Sequence, residues 1–374
     1  MKKLLCILIA VVLICMSFAG CTAKQEAPAK TAETETKQEE KTEEKTEEVA
    51  EETKDVCKVA IVSETAFGNQ SYTDIALNGC KKAEADLDNV ELVVLESVDV
   101  SNAANALRTL IQEGVTFIIL PTSSLADAIT EVAPENPNVY FASLDVEVPG
   151  YDNVYSCVYR ENEACFLLGI LAANCTKTGK VAFTGGIAGS VMSKYEFGYK
   201  AGVAYVNPDV EVSSVYINSY SDPNKGKEIG SALFGEGYDF IEVAAGGSGM
   251  GVFEAAEEKN DECYCFGGTG GQFDLGPNKI LASQTKTVDE VCYSLITDAA
   301  AGKLAERCNE PEKLGLAENG VALIYTTLND ELLKKFVSDD ISQAIEDAKA
   351  KIISGEISVP ASEEEYNSFV AGLK

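Results

Sequence analysis

Histidine and tryptophan are absent from all 374 residues. Without histidine there is no Ser-His-Asp triad, no Cys-His dyad and no His-ligated zinc site. Carboxylate or Ser-Lys chemistry is still open to an enzyme. Basic residues are scarce: 30 Lys and Arg face 60 Asp and Glu, a formal charge of −30. A body so acidic repels phosphate backbones, which argues against a nucleic-acid partner and leaves small-molecule binding untouched. No CxxC pair occurs among the 12 cysteines. A membrane-spanning run is also missing, because the apolar stretch Leu4 to Met16 has 13 residues where a spanning helix needs about 20.

That stretch follows Lys2 and Lys3 and ends in Ser17-Phe18-Ala19-Gly20-Cys21, the order of a secretory signal. The small pair before Cys21 resembles the lipobox of bacterial lipoproteins, whose cysteine is diacylated after residues 1–20 are removed. Two acyl chains anchor a protein stably where one does not. Cys21 is thus the expected lipidation site and the cell membrane, on its extracytoplasmic side, the expected location.

Residues 22–55 hold 12 acids, 6 bases and no aromatic residue. Such a segment cannot bury enough apolar surface to offset its ordering entropy. Together with Cys21 it reads as an acidic disordered tether over 21–55, spanning roughly 30 Å as a flexible coil. Beyond it, 48 acids and 22 bases leave residues 56–374 at −26.

Nine cysteines lie in that part: Cys57, Cys80, Cys157, Cys165, Cys175, Cys263, Cys265, Cys292 and Cys308. An exported chain can oxidise them in pairs. Their positions inside apolar strand and helix patterns favour buried free thiols, where cysteine is a small hydrophobe. Cys263 and Cys265 are spaced for a soft-metal pair, but alternating strand positions account for them more simply.

From residue 56 onward short β-branched runs alternate with amphipathic stretches, the signature of parallel sheets flanked by helices. Strands are predicted at 58–63, 90–97, 116–121, 138–144, 153–159, 180–185, 210–219, 239–245, 263–267, 280–285 and 320–326. Eleven strands over about 320 residues exceed one core. The α/β fold predicted is two doubly wound parallel-sheet lobes with a hinge, like type I periplasmic binding proteins. The resemblance to that fold implies three crossings, so one lobe is expected over residues 56–157 and 287–316 and the other over 158–286 and 317–374. Facing parallel sheets put a cleft at the loops beyond their strands' carboxyl ends.

Several loops carry a likeness from about Val59 to Asp289. The most specific stretches are Glu163-Ala164-Cys165-Phe166-Leu167-Leu168-Gly169, Thr178-Gly179-Lys180-Val181-Ala182-Phe183-Thr184-Gly185-Gly186, Tyr195-Glu196-Phe197-Gly198-Tyr199 and Ala244-Ala245-Gly246-Gly247-Ser248-Gly249-Met250-Gly251. They resemble the basic membrane protein family of substrate-binding lipoproteins, which includes purine nucleoside receptors. The glycine turn lacks the GK[ST] of a phosphate loop and follows a late strand, so it is expected to bring backbone close to a ligand.

The resemblance implies a binding protein without catalysis or cofactor that delivers a solute, a purine nucleoside first among candidates, to an ABC permease. Implied cleft residues are Phe67, Asn69, Asp145, Tyr195, Gly247, Thr269 and Lys286. Phe67 and Tyr195 offer flat faces for a base, while Asp145 and Asn69 suit base edges or hydroxyls. Lys286 either bonds a sugar oxygen or balances Asp145. Two departures stand out. The family's Phe-Asn-Asp-x-Ser-Phe-Asn loop is here Phe67-Gly68-Asn69-Gln70-Ser71-Tyr72-Thr73, and Thr269 replaces a carboxylate expected to hold ribose. The alternatives are a surface sensor or adhesin of the same fold, a binder of sugar-like solutes, and a glycosidase using Asp145 with Glu64.

Overall fold

The computed structural model describes residues 56–373 apart from 69, 260, 261 and 309. The signal, Cys21 and the tether therefore lie outside the described residues.

The first half runs β1 (Cys57–Val62), α1 (Tyr72–Asp86), β2 (Val90–Leu95), α2 (Ala103–Gln112), β3 (Phe117–Leu120), α3 (Ala126–Val132), β4 (Tyr140–Leu144) and β5 (Val154–Tyr159). The chain continues through α4 (Glu161–Cys175), β6 (Lys180–Gly185), α5 (Ser190–Val206), β7 (Glu211–Tyr216), α6 (Pro223–Gly235) and β8 (Phe240–Ala244). Then come α7 (Gly249–Glu258), β9 (Tyr264–Gly267), β10 (Ile280–Lys286), α8 (Val288–Ala300), β11 (Glu312–Leu314) and β12 (Val321–Tyr325). Three helices close it: α9 (Asp330–Phe336), α10 (Asp339–Ile353) and α11 (Glu363–Gly372).

These strands form two six-stranded sheets, in the orders β11-β5-β4-β3-β1-β2 and β12-β10-β9-β8-β6-β7. Every pairing is parallel except β10 with β12. Each sheet with its helices is one lobe, and together they make the type I binding-protein architecture. The chain passes between sheets after Tyr159, after Lys286, and between Leu314 and Val321. The predicted strands match the observed ones closely, but β11 went unseen because Glu312-Lys313-Leu314 is too short to display a period.

One face of each sheet feeds a single apolar cluster that contains α1, α8, α4 and α5 residues. The opposite faces are sealed separately, by α2 and α3 on the first sheet and by α6 and α7 on the second. Helix α4 is buried nearly all round and crosses α5 at three glycines. A Cβ on Gly169 would lie 2.2 Å from the Tyr199 carbonyl oxygen, one on Gly198 2.4 Å from that of Asn162, and one on Gly202 2.0 Å from that of Phe166. Backbone contact of that kind admits no larger residue, which explains Gly169 and Gly198 within two stretches of the sequence likeness.

All nine cysteines of this part are free, eight of them buried. Among the described residues no three metal-ligating groups converge and no helix is long and apolar enough to cross a membrane.

Candidate binding cleft

Strand carboxyl ends from both lobes surround one cavity. The first lobe lines it with Glu64, Thr65, Ser71, Tyr72 and Thr73 after β1, Thr122 to Ser124 after β3, and Asp145 after β4. The second lobe contributes Val191, Met192 and Tyr195 of α5, Tyr220 after β7, and Val243 to Gly247 at and after β8. Gly268, Thr269 and Gln272 after β9 and Lys286 at the end of β10 complete it. The walls differ in kind. The first lobe presents hydroxyls, two carboxylates and the Tyr72 ring, whereas the second presents aliphatic side chains, two tyrosines and a stretch of glycine backbone, with Thr269, Gln272 and Lys286 as its polar members.

Lys286 stands at the centre of the charge arrangement. Its ammonium donates to Asp145 Oδ1 at 2.8 Å and to Glu161 Oε1 at 3.0 Å. It also lies 4.2 Å from the Tyr72 ring centroid, 5.0 Å from Tyr159 and 5.7 Å from Tyr195, within cation–π range of all three. Burial works against the charged amine, but the Asp145 and Glu161 carboxylates outweigh it and hold its proton well above the usual lysine range. Burial conversely lifts the Asp145 carboxyl, with the Lys286 ammonium opposing. Glu161 also accepts from Lys194 Nζ at 2.9 Å, and Lys194 donates to the Tyr159 carbonyl at 2.8 Å.

Local structure places these groups. Asp145 follows β4 with φ at 83°, a left-handed conformation that is costly for a non-glycine residue and recurs at binding sites. Ser143 Oγ fixes that turn by donating to the Val146 carbonyl at 2.8 Å. In Tyr195-Glu196-Phe197-Gly198-Tyr199, Tyr195 faces the cavity and Glu196 accepts from Lys200 Nζ and Tyr216 Oη, both at 2.6 Å. Gly198 meets α4. Gly247 lines the cavity from a turn locked by Ser248, whose hydroxyl donates to the Ser219 carbonyl at 2.9 Å. A Cβ on Gly251 would sit 1.8 Å from the Pro223 carbonyl oxygen, so that glycine serves the α6–α7 contact.

Of the residues singled out in the sequence, Asp145, Tyr195, Gly247, Thr269 and Lys286 are brought to this cavity. Asn69 lies outside the described residues. Phe67 is not among the lining residues; half-buried, it packs on the core and donates its backbone N–H to Glu96 Oε2 at 2.8 Å. Tyr72, at the start of α1, supplies the aromatic wall on that side. Glu64 lines the cavity and accepts from Thr122 Oγ1. Tyr220, Gln272 and the Glu161–Lys194 pair went unnoticed in the sequence. The one available signal was Glu161, an acid opening a mostly apolar helix directly after a strand.

A cleft at the carboxyl ends of two parallel sheets, joined by three crossings, defines a two-lobed solute-binding protein. The PnrA-like family of ABC transporter substrate-binding proteins matches residues 56–363, and the chain belongs to that family. Basic membrane protein A of Borreliella burgdorferi is 31% identical over 325 residues, covering 84% of this chain and 91% of that one. The CD4+ T-cell-stimulating antigen of Listeria monocytogenes is 31% identical over 323 residues, covering 81% and 87%. A crystal structure of an ABC transporter solute-binding protein from Aeropyrum pernix superposes with a TM-score of 0.76 at 25% identity, covering 85% and 97%. This chain is accordingly the substrate-binding protein of an ABC transporter. The family and the Aeropyrum pernix neighbour are solute-binding proteins and not enzymes.

Proposed function

We propose that the cleft takes a purine nucleoside or a similarly built neutral solute with a flat base, for hand-over to the transporter's permease. The observation that carries this reading is the unlike pair of walls. A nucleoside has hydrogen-bonding edges and hydroxyls for the Ser, Thr and carboxylate wall, and a π-face for Tyr195, Tyr220 and the glycine backbone. Stacking of a base on such a ring is worth about 1 to 3 kcal/mol. Asp145 is the main polar anchor. Thr269 contacts the sugar more weakly than a carboxylate does, so the preference for nucleoside over free base is modest.

Lobe closure about the crossings after Tyr159, after Lys286 and between Leu314 and Val321 buries the ligand and presents a closed form to the permease. Lipidated Cys21 and the tether hold this body at the extracytoplasmic face of the cell membrane. Cys21→Ala is expected to release the chain from the membrane fraction.

Calorimetric titration tests the ligand class with guanosine, inosine, adenosine, their free bases and a sugar panel. Asp145→Ala and Tyr195→Ala are each expected to weaken nucleoside binding roughly 5- to 150-fold, the effect of losing about 1 to 3 kcal/mol. Sugar binding without any nucleoside response would overturn the ligand, and unchanged affinity in both variants would overturn the site.

A further inference from the structure

The charges around this cleft are closed on themselves. An ammonium has three N–H donors, and Lys286 commits two of them to Asp145 and Glu161. Three tyrosine rings crowd the same nitrogen. Glu161 is fully buried, does not line the cavity, and takes a second ammonium from Lys194. Two carboxylates and two ammoniums therefore sum to zero. The remaining charged lining residue is Glu64, another carboxylate.

We propose that Glu161, acting through Lys286, sets the charge that this cleft accepts. By holding the ammonium in protein ion pairs it leaves a ligand's phosphate or carboxylate no free cation, facing instead the carboxylate of Glu64. The cleft thus selects uncharged solutes and refuses their phosphorylated counterparts. This deepens the nucleoside reading and rests on it. Glu161 is a positioning residue, since it meets Lys286 and Lys194 and not the ligand. Taking away its charge leaves the other three groups at +1. A unit charge about 6 Å away at an effective dielectric of about 20 is worth roughly a hundredfold in affinity.

The test compares guanosine with guanosine 5′-monophosphate on the whole chain, Glu161→Gln and Glu161→Asp. The unaltered chain is expected to bind guanosine and strongly disfavour the monophosphate. Glu161→Gln narrows that ratio by roughly tenfold to a hundredfold, and Glu161→Asp restores it. A folded Glu161→Gln with the original ratio would overturn the proposal. Should that variant fail to fold, Lys194→Met adds net negative charge and is expected to widen the ratio; an unchanged or narrower ratio would refute it.

If the unaltered chain binds neither compound, the nucleoside reading fails and the role of Glu161 is read without ligand. Acylation of Lys286 by acetyl N-hydroxysuccinimide ester, followed by peptide mass spectrometry, is expected to be several-fold faster in Glu161→Gln than in the unaltered chain. Equal rates would sink the assignment.

Discussion

Glu242 sits on β8, fully buried, and its carboxylate has only the weakly donating Cys165 thiol beside it and no stronger hydrogen-bond partner. Burial pushes its pKa up from 4.5 to about 8, opposed only by the Cys165 thiol. Between those two values the folded chain holds a proton that the unfolded chain has released. The contribution of Glu242 to stability is fully present below pH 4.5 and falls by about 1.4 kcal/mol per pH unit until the folded group ionises near pH 8. Over that window the loss is on the order of 5 kcal/mol, a large share of a typical folding free energy. Glu242→Gln keeps the shape and removes the titration. It is expected to match the unaltered chain near pH 5 within about 1 kcal/mol and to exceed it increasingly toward pH 8. Urea unfolding midpoints with their slopes, taken across this range, give the comparison. Parallel pH profiles for the two proteins would refute the reasoning, because they would mean that Glu242 does not change its proton count on unfolding.

Three further outcomes follow from particular contacts. Gly202→Ala puts a methyl group 2.0 Å from the Phe166 carbonyl oxygen and should cost about 3 kcal/mol by forcing α4 and α5 apart, measured by urea unfolding. Gln70 Nε2 donates to Asp274 Oδ2 at 2.9 Å, linking the first lobe to the second, and Gln272 Nε2 reaches the Gln70 carbonyl at 3.4 Å. Gln70→Ala should therefore speed ligand release about twofold to tenfold with an unchanged on-rate, and stopped-flow traces showing the reverse would exclude a latch. Because the nine described thiols are free, a reductant should leave the thermal midpoint where it is; a fall of several degrees would reveal disulfides.

Much of the fold was legible because its strands are short β-branched runs separated by turn residues, a pattern set locally. Runs such as Phe117-Ile118-Ile119-Leu120 bury every residue and could be placed almost to the position. Cysteine burial was legible for the same reason, from apolar neighbours on both sides. The cleft was legible only in part. Asp145 and Lys286 stand at strand ends, where open parallel sheets collect their ligands, and the family resemblance pointed to them as well. Balancing Asp145 was one of the two roles open to Lys286, and the structure shows that pair; what the sequence hid was the second claim on Lys286 by Glu161, a residue 125 positions away. The Glu161 pair depends on how α4 packs against β10 and the Asp145 pair on how the two lobes meet, and no local pattern records either. Phe67 and Tyr72 illustrate the same boundary. Both are aromatics in one loop, and only the turn into α1 decides which faces the cavity and which supports the core.

The identity of the solute carried by the cleft is the most direct test of the central claim. Mass spectrometry of small molecules released on denaturing the purified chain, set beside calorimetry with the same compound, reads it without assumption. A neutral purine nucleoside, displaced by guanosine and lost in Asp145→Ala, is the predicted result. A sugar or a phosphorylated compound bound in its place, with no response to any nucleoside, would contradict the account.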